Sequence, residues 1–227
     1  MKTNIYIDGF NLYYCGVKAT TDKWLNPLVL VNTLFPGKPI NKIYYFTARV
    51  KPLPHDLSAP TRQGIYWRAL RTIPNLEIIE GHFSTWAKLL PQYPFAYLKP
   101  MDAPYNYPQK VQIHKAEEKG SDVNLASQLI YDNCKKYTDE SIVISNDSDL
   151  AYAVEIVVSK LNMPVIVVNP NRTSNVHKSI NSYGISKDLK KVASSCMASI
   201  NDPVYTKSKF PINLTDTTGT FTKPPNW

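Results

Sequence analysis

The stretch 141–161, SIVISNDSDLAYAVEIVVSKL, decides how the rest of the chain is read. It opens with three β-branched apolar residues, Ile142, Val143 and Ile144. It then breaks into the polar knot Ser145-Asn146-Asp147-Ser148-Asp149 and resumes with Leu150, Val154, Val157 and Leu161 at helical spacing. A short, wholly apolar run marks a parallel strand covered on both faces. The knot therefore falls at the carboxyl end of a buried strand, where open α/β sheets place their ligands. Two carboxylates at that edge, Asp147 and Asp149, are the first sign of a metal-dependent site.

Composition sets the bounds around this stretch. The chain has 227 residues, 43% hydrophobic and 19% charged, which suits one soluble α/β domain with additions. Nothing approaches about 18 consecutive apolar residues, so no membrane contact is expected. The start, MKTNIYIDG, reaches Asp8 too early for a secretion signal. Cys15, Cys134 and Cys196 form no close pair, so a cytoplasmic, disulfide-free protein is expected. A net charge of +8 suits a polyanionic partner and equally a solvated basic surface. The 18 prolines cluster in 91–108 and near the carboxyl end, which reads as irregular chain.

Working outward, the pattern predicts strands at 4–7, 42–50, 76–83 and 164–168 around the one at 142–144. Between them fall helices at 24–35 and 59–73, and a further one capped by Ser121 with Val123, Ala126, Leu129 and Ile130 inward. Gly9 is expected to let the chain turn sharply just past the first strand. Segment 183–192 reads as a short helix, and everything beyond about 199 as an extended tail. Strand–helix alternation implies βαβ units and a mostly parallel sheet. Segment 84–115 breaks the rhythm with prolines and with Trp86, Tyr93, Tyr97, Tyr105 and Tyr107. Its end, 110–115, is expected to pair with 83–89 as a hairpin extension. The expected organisation is one domain over 1–198, with this insertion, and a tail over 199–227.

Carboxylates recur at three β/α junctions: Asp8 after the first strand, Asp122 at a helix start, and Asp147 with Asp149 after the central strand. Any one alone suits a helix dipole, worth roughly 0.3–1 kcal/mol. Together, at the carboxyl edge of a parallel sheet, they are expected to converge. Like charges so placed raise one another's pKa unless a cation lies between them. An oxygen-only cluster suits Mg²⁺ or Mn²⁺.

YIDGFNLYY, EEKGSDVNLA and VISNDSDL resemble, in order and spacing, the three acidic motifs of NYN-domain proteins, a branch of the PIN-like ribonucleases. KPPNW is similar to the ending of many bacterial members. The resemblance covers roughly 3–169. It implies a three-layer α/β/α sandwich with a Rossmann-like, PIN-like sheet, and Mg²⁺- or Mn²⁺-dependent cleavage of RNA. It makes Asp8, Asp122 and Asp147 the metal-binding acids, with Asp149 supporting the last and Asn11 a polar companion of the first. Ser145 and Asn146 shape the turn, and Glu118 is an outer acid or a surface charge.

No side chain is set up as a nucleophile, so water is the expected attacker, with one or two metals equally compatible. Arg62, Arg68 and Arg71 on one helix, and Lys110, Lys115 and Lys119 leading into the second motif, are the expected phosphate contacts. The insertion's aromatics either stack on unpaired bases or pack the insertion down. The expected partner is single-stranded or unpaired RNA, and self-association into a homo-oligomer is left open. P-loop, dinucleotide, zinc-protease and hydrolase-elbow motifs are absent. A haloacid-dehalogenase-type phosphatase needs a second Asp where Phe10 stands. The non-enzymatic alternative is a nucleic-acid-binding scaffold that keeps the metal site but cleaves nothing.

Overall fold

Every residue of β1 (Thr3–Asp8) is buried. Ile5 and Ile7 pack into one hydrophobic cluster and Tyr6 into a second. A strand buried on both sides belongs at the centre of a covered sheet. The computed structural model, which describes residues 1–52, 56–94, 108–176, 184–225 and 227, places it there. β1 runs into a single turn, α1 (Gly9–Asn11), and a π-helical segment, Leu12–Val17. Next come α2 (Pro27–Leu34), β2 (Ile40–Ala48), α3 (Ala59–Leu70), β3 (Leu76–Pro91), β4 (Lys110–Lys119), α4 (Ser121–Cys134) and β5 (Glu140–Ile144). A 3₁₀ turn, Ser148–Leu150, leads into α5 (Ala151–Glu155), which continues as a π-helical segment, Ile156–Lys160. The chain closes with β6 (Val165–Val168), α6 (Thr173–Val176), α7 (Lys187–Val192), β7 (Ser195–Met197), α8 (Asp202–Lys207), β8 (Asn213–Asp216) and β9 (Gly219–Thr222).

Among the described residues the main sheet has seven strands in the order β4-β3-β2-β1-β5-β6-β7. All its pairings are parallel except β3 with β4. Helices flank it, α2 and α3 over one cluster and α4, α5 and α7 over the other. From β1 the order proceeds one way through β2 and β3, and the other way through β5, β6 and β7. The carboxyl ends of β1 and β5 therefore border the point where an open α/β sheet reverses direction, its usual ligand crevice. β3 changes partner partway along. Ile43 to Ala48 pair with Leu76 to Gly81 in parallel, and His82 to Pro91 then pair with β4 antiparallel. The ladder extends to Lys119, four residues beyond the expected hairpin.

Several local expectations fail for identifiable reasons. The N-cap of α4 is Gly120, in the left-handed conformation at φ 96°, and not Ser121. Val123 is 68% exposed, because the buried stripe of α4 runs through Leu125 and Leu129. α2 starts at Pro27, where the Asn26 side chain accepts from the N–H groups of Leu28 and Val29. Gly9 is needed for close approach and not for a left-handed turn. A Cβ there would lie 2.6 Å from the Tyr45 ring and 2.7 Å from the Phe46 carbonyl oxygen. Of the helix expected at 183–192, Lys187–Val192 is helical and residue 183 lies outside the described residues. The expectation for Tyr97, Tyr105 and Tyr107 likewise lies outside them.

The largest departure is the segment after 199, which is folded rather than extended. α8 buries Tyr205 completely, and Phe210 packs on Trp24 with ring centroids 5.6 Å apart. The β8–β9 hairpin is held to α3 by Arg68, whose Nε and Nη2 donate to Asp216 at 2.6 and 2.7 Å. Arg172 supplies a second tie. It is 5% exposed and reaches Asp22 at 2.6 Å, Asp202 at 3.1 Å and the Gly16 carbonyl at 2.5 Å. Burial alone would raise the Asp22 pKa, but hydrogen bonds from Lys209 and Arg172 hold it below the ordinary value.

Removing one partner of a buried ion pair leaves its counter-charge stranded, at a cost of about 3–5 kcal/mol. Arg172→Met is therefore expected to lower the unfolding free energy, measured by chemical denaturation, by that much. Lys209→Met, at the more exposed end of the same Asp22 carboxylate, should cost no more than about 1 kcal/mol.

Candidate metal-binding active site

Asp8 is the last residue of β1 and is 4% exposed. Its Oδ1 accepts from the Asn11 N–H at 2.9 Å, so the side chain caps the turn that follows. Its Oδ2 accepts from the Ser145 hydroxyl at 2.9 Å. Ser145, fully buried one residue past β5, also accepts from the Asp147 N–H at 3.1 Å. Asn11 turns its side-chain oxygen to the Asn146 N–H at 3.1 Å. Asp147 in turn accepts from the Asp149 N–H at 3.0 Å. The ends of β1 and β5 are thereby locked together by side chains from both.

The third acid comes from α4. Its first turn carries Asp122, and the Glu118 carboxylate at the end of β4 accepts from the Ser121 N–H at 3.0 Å. Asp8, Asp122, Asp147 and Glu118 line one pocket of ≈ 320 Å³, with Asn11 and the aromatic rings of Phe10, Tyr14 and Phe83. Asp149 is exposed and does not line it, although its charge reaches Asp122. Glu118 takes the fourth position that the sequence pattern gave to Asp149. Asn146 is taken up on the other side, donating to the Gly184 carbonyl at 3.0 Å and accepting from the Ser186 N–H at 2.7 Å.

The electrostatics are those of crowded anions. Burial pushes the Asp8 pKa up, against hydrogen bonds from Asn11 and Ser145 that favour the charged form. Asp122 rises to about 6, through burial first and then the charges of Asp8, Asp147, Glu118 and Asp149. The oxygen donors suit a hard divalent ion by type. Among the described residues, however, no group of three or more His, Cys, Asp or Glu side chains forms a ready-made metal cage. The acids share a pocket with room between them.

Among the described side chains, the basic residues expected to meet phosphate do not line this pocket. Arg62 pairs with Asp56 at 2.5 Å, Arg68 is committed to the β8–β9 hairpin, and the Arg71 guanidinium lies 5.9 Å from the Trp67 ring. Lys119 sits 3.7 Å from Glu117 and 5.7 Å from the Trp86 ring centroid. Lys110 is exposed at the far end of β4, and the Lys115 side chain lies outside the described residues. Nothing in the sequence pattern marks Phe10, Tyr14 and Phe83 as site residues, except that Phe10 and Tyr14 follow Asp8 within two turns.

No family model matches the chain. It is similar to 6-hydroxy-3-succinoylpyridine 3-monooxygenase of Pseudomonas putida, 29% identical over 204 residues. That match covers 80% of this chain, which spans 62% of the length of the curated relative. A crystal structure of a protein of unknown function from Vibrio parahaemolyticus shares the fold with a TM-score of 0.53 and 17% identity, over 88% of this chain and 93% of that one.

A carboxylate whose folded pKa lies above its unfolded one destabilises the fold wherever it is ionised. Asp122 should therefore cost stability above pH about 6, and that cost should fade as pH falls toward about 4. Asp122→Asn is expected to raise stability by on the order of 1 kcal/mol at pH about 8, the half-exposed position limiting the gain. Thermal melts across that range should show the advantage vanish near pH 4. An advantage that does not change with pH would contradict the crowding.

Proposed function

We propose that the chain is a divalent-metal-dependent endoribonuclease of the NYN, PIN-like type, acting on single-stranded or unpaired RNA. The observation that carries this reading is the convergence of Asp8, Asp122 and Asp147, from three separate junctions, on one pocket at the reversal point of the sheet. The three motif resemblances and the net charge of +8 support it. The donor set fits Mg²⁺ or Mn²⁺, since Mg²⁺ is commonly held by one or two carboxylates and keeps several waters, which needs no closed cage. When bound, such an ion neutralises phosphate charge and activates water for in-line attack.

The chain's own contribution is position. Asp8, Asp147 and Asp122 would hold the ion, with Glu118 and Asp149 adding negative field. Ser145 and Asn11 fix the Asp8 carboxylate so that neither oxygen swings away. The buried walls around Asp8 lower the local dielectric and strengthen each of these interactions. An intracellular RNA, met in the cytoplasm, is the substrate class this reading implies.

The monooxygenase relative favours a second reading, in which the chain oxygenates a hydroxylated pyridine. That chemistry needs O₂ and a two-electron donor, and no dinucleotide fingerprint is present in the sequence. A third outcome is a nucleic-acid-binding scaffold that retains the site without turnover.

One set of assays separates them. With Mn²⁺, labelled single-stranded RNA should be cut, and Asp8→Asn or Asp147→Asn should slow cutting by on the order of a hundredfold or more while the circular dichroism spectrum is kept. EDTA should stop it. Cutting that persists in EDTA or in both variants would end the ribonuclease reading. Oxygen uptake with 6-hydroxy-3-succinoylpyridine and reduced nicotinamide would establish the second reading. Metal-raised melting temperature with neither activity would leave the scaffold.

A further inference from the structure

Beside the acid pocket lies a second cleft, of ≈ 260 Å³, which none of the roles above uses. Phe10 and Tyr14 line both, so the two are separated by a wall of aromatic side chains. The interior is aromatic: Tyr13, Tyr45, Tyr66, Trp67 and Trp227 line it. Tyr45 and Trp227 meet Tyr66 with ring centroids 6.3 and 5.5 Å away, at interplanar angles of 74° and 58°. The Tyr66 hydroxyl is satisfied by the Leu25 carbonyl at 2.9 Å.

The rim differs in kind from the interior. Among the described lining residues, Lys18, Lys23, Lys51 and Arg62 are cationic and Asp56 carries a side-chain carboxylate. Arg62 is placed by Asp56, at 2.5 Å, and by the Ser58 hydroxyl. The Lys18 ammonium lies 4.4 Å from the centroid of the Tyr14 ring, over the shared wall. Tilted and edge-on rings offer faces and edges to a flat guest, and aromatic pairs in such arrangements are worth about 0.5–1.5 kcal/mol beyond area burial. A rim whose side chains carry more positive than negative charge favours an anion on that guest. An anion without a ring would leave the interior empty.

We propose that this cleft binds a planar aromatic ring carrying an anionic group, the ring among the tyrosines and tryptophans and the anion at Arg62 and the lysines. Two sources supply that chemistry: a nucleotide, with its base and phosphate, or a small aromatic acid. The site stands independently of the ribonuclease reading, because it requires neither a metal nor cleavage. If that reading holds, the shared Phe10–Tyr14 wall puts the bound ring next to the reacting phosphate and makes the cleft a specificity pocket.

The test uses the whole chain without added metal, following tryptophan fluorescence and confirming by calorimetry. The probes are adenosine 5′-monophosphate, adenosine, ribose 5-phosphate and nicotinate. Either adenosine 5′-monophosphate or nicotinate should bind, and whichever is tighter identifies the source. Adenosine and ribose 5-phosphate should each bind at least about tenfold more weakly than the nucleotide if the source is a nucleotide. Arg62→Gln should weaken the anionic aromatic by roughly tenfold. Asp147→Asn, in the neighbouring pocket, should leave its affinity unchanged and so separates this site from the acid pocket. Binding of neither anionic aromatic, equal binding of ribose 5-phosphate, or indifference to Arg62→Gln would each overturn the proposal.

Discussion

A single hydroxyl joins the two halves of the sheet at the site. Ser145 Oγ gives its proton to Asp8 Oδ2 and receives the Asp147 N–H. Its polarity is thereby fixed, since a hydroxyl that donates to a carboxylate has only its lone pairs left for a second partner. Asp8 comes from β1 and Asp147 from the turn after β5, strands that are neighbours but lie far apart in sequence. Asn11, bridging to the Asn146 N–H, ties the same two turns a second time. Asp8 is held by the Asn11 N–H and the Ser145 hydroxyl, donors that favour its charged form, and the turn that carries Asp147 is held through its backbone.

The arrangement sets two effects against each other. Taking Asp8 out of water disfavours its charge, and the hydrogen bonds from Asn11 and Ser145 offset only part of this, because its pKa still rises. Among the described residues the Asp122 carboxylate accepts no hydrogen bond, and it feels burial and four negative neighbours together. Charge at this rim is thus held under tension by the rest of the fold. Nearly complete burial of Ile142, Val143 and Ile144 under the knot, at about 1.5–3 kcal/mol per large side chain, is ample to hold the strand in place against it. Strain of this kind is relieved by a proton, by substitution of an acid, or by a cation, and these three remedies predict different pH dependence.

The framework could be read from the chain because its signals are local. β-branched runs gave the strands, spacing gave α3 and α4, and the acids fell at junctions whose location a parallel sheet dictates. What could not be read depends on contacts between distant segments. The region after 199 has weak periodicity, yet Tyr205 and Phe210 are buried, since their partners are Gly16, Pro170 and Trp24. Arg68 reads from sequence as a phosphate contact because its partner, Asp216, lies 148 positions on. Gly9 is required by crowding and not by a turn, and the crowding comes from Tyr45 and Phe46 on the next strand. The exchange of Asp149 for Glu118 at the pocket has the same origin. Which of two nearby acids points inward depends on how β4 enters α4.

The turn after β1 carries more of the site than any other segment of its length. Asp8 supplies a carboxylate, Asn11 a bridge to the opposite strand, and Phe10 and Tyr14 a wall with the acid pocket on one side and the aromatic cleft on the other. Phe10 meets Phe83 edge-on at 5.7 Å and stacks on Tyr14 at 6.5 Å, so the wall is braced by β3 as well as by its own helix. This turn packs so closely on β2 that Gly9 admits no side chain without a shift in backbone or ring. A displacement of the turn would therefore move the acid and the aromatic wall together. The cleft and the acid rim thus share one piece of backbone, whereas a side-chain change on the opposite turn, as at Asp147, touches the rim alone.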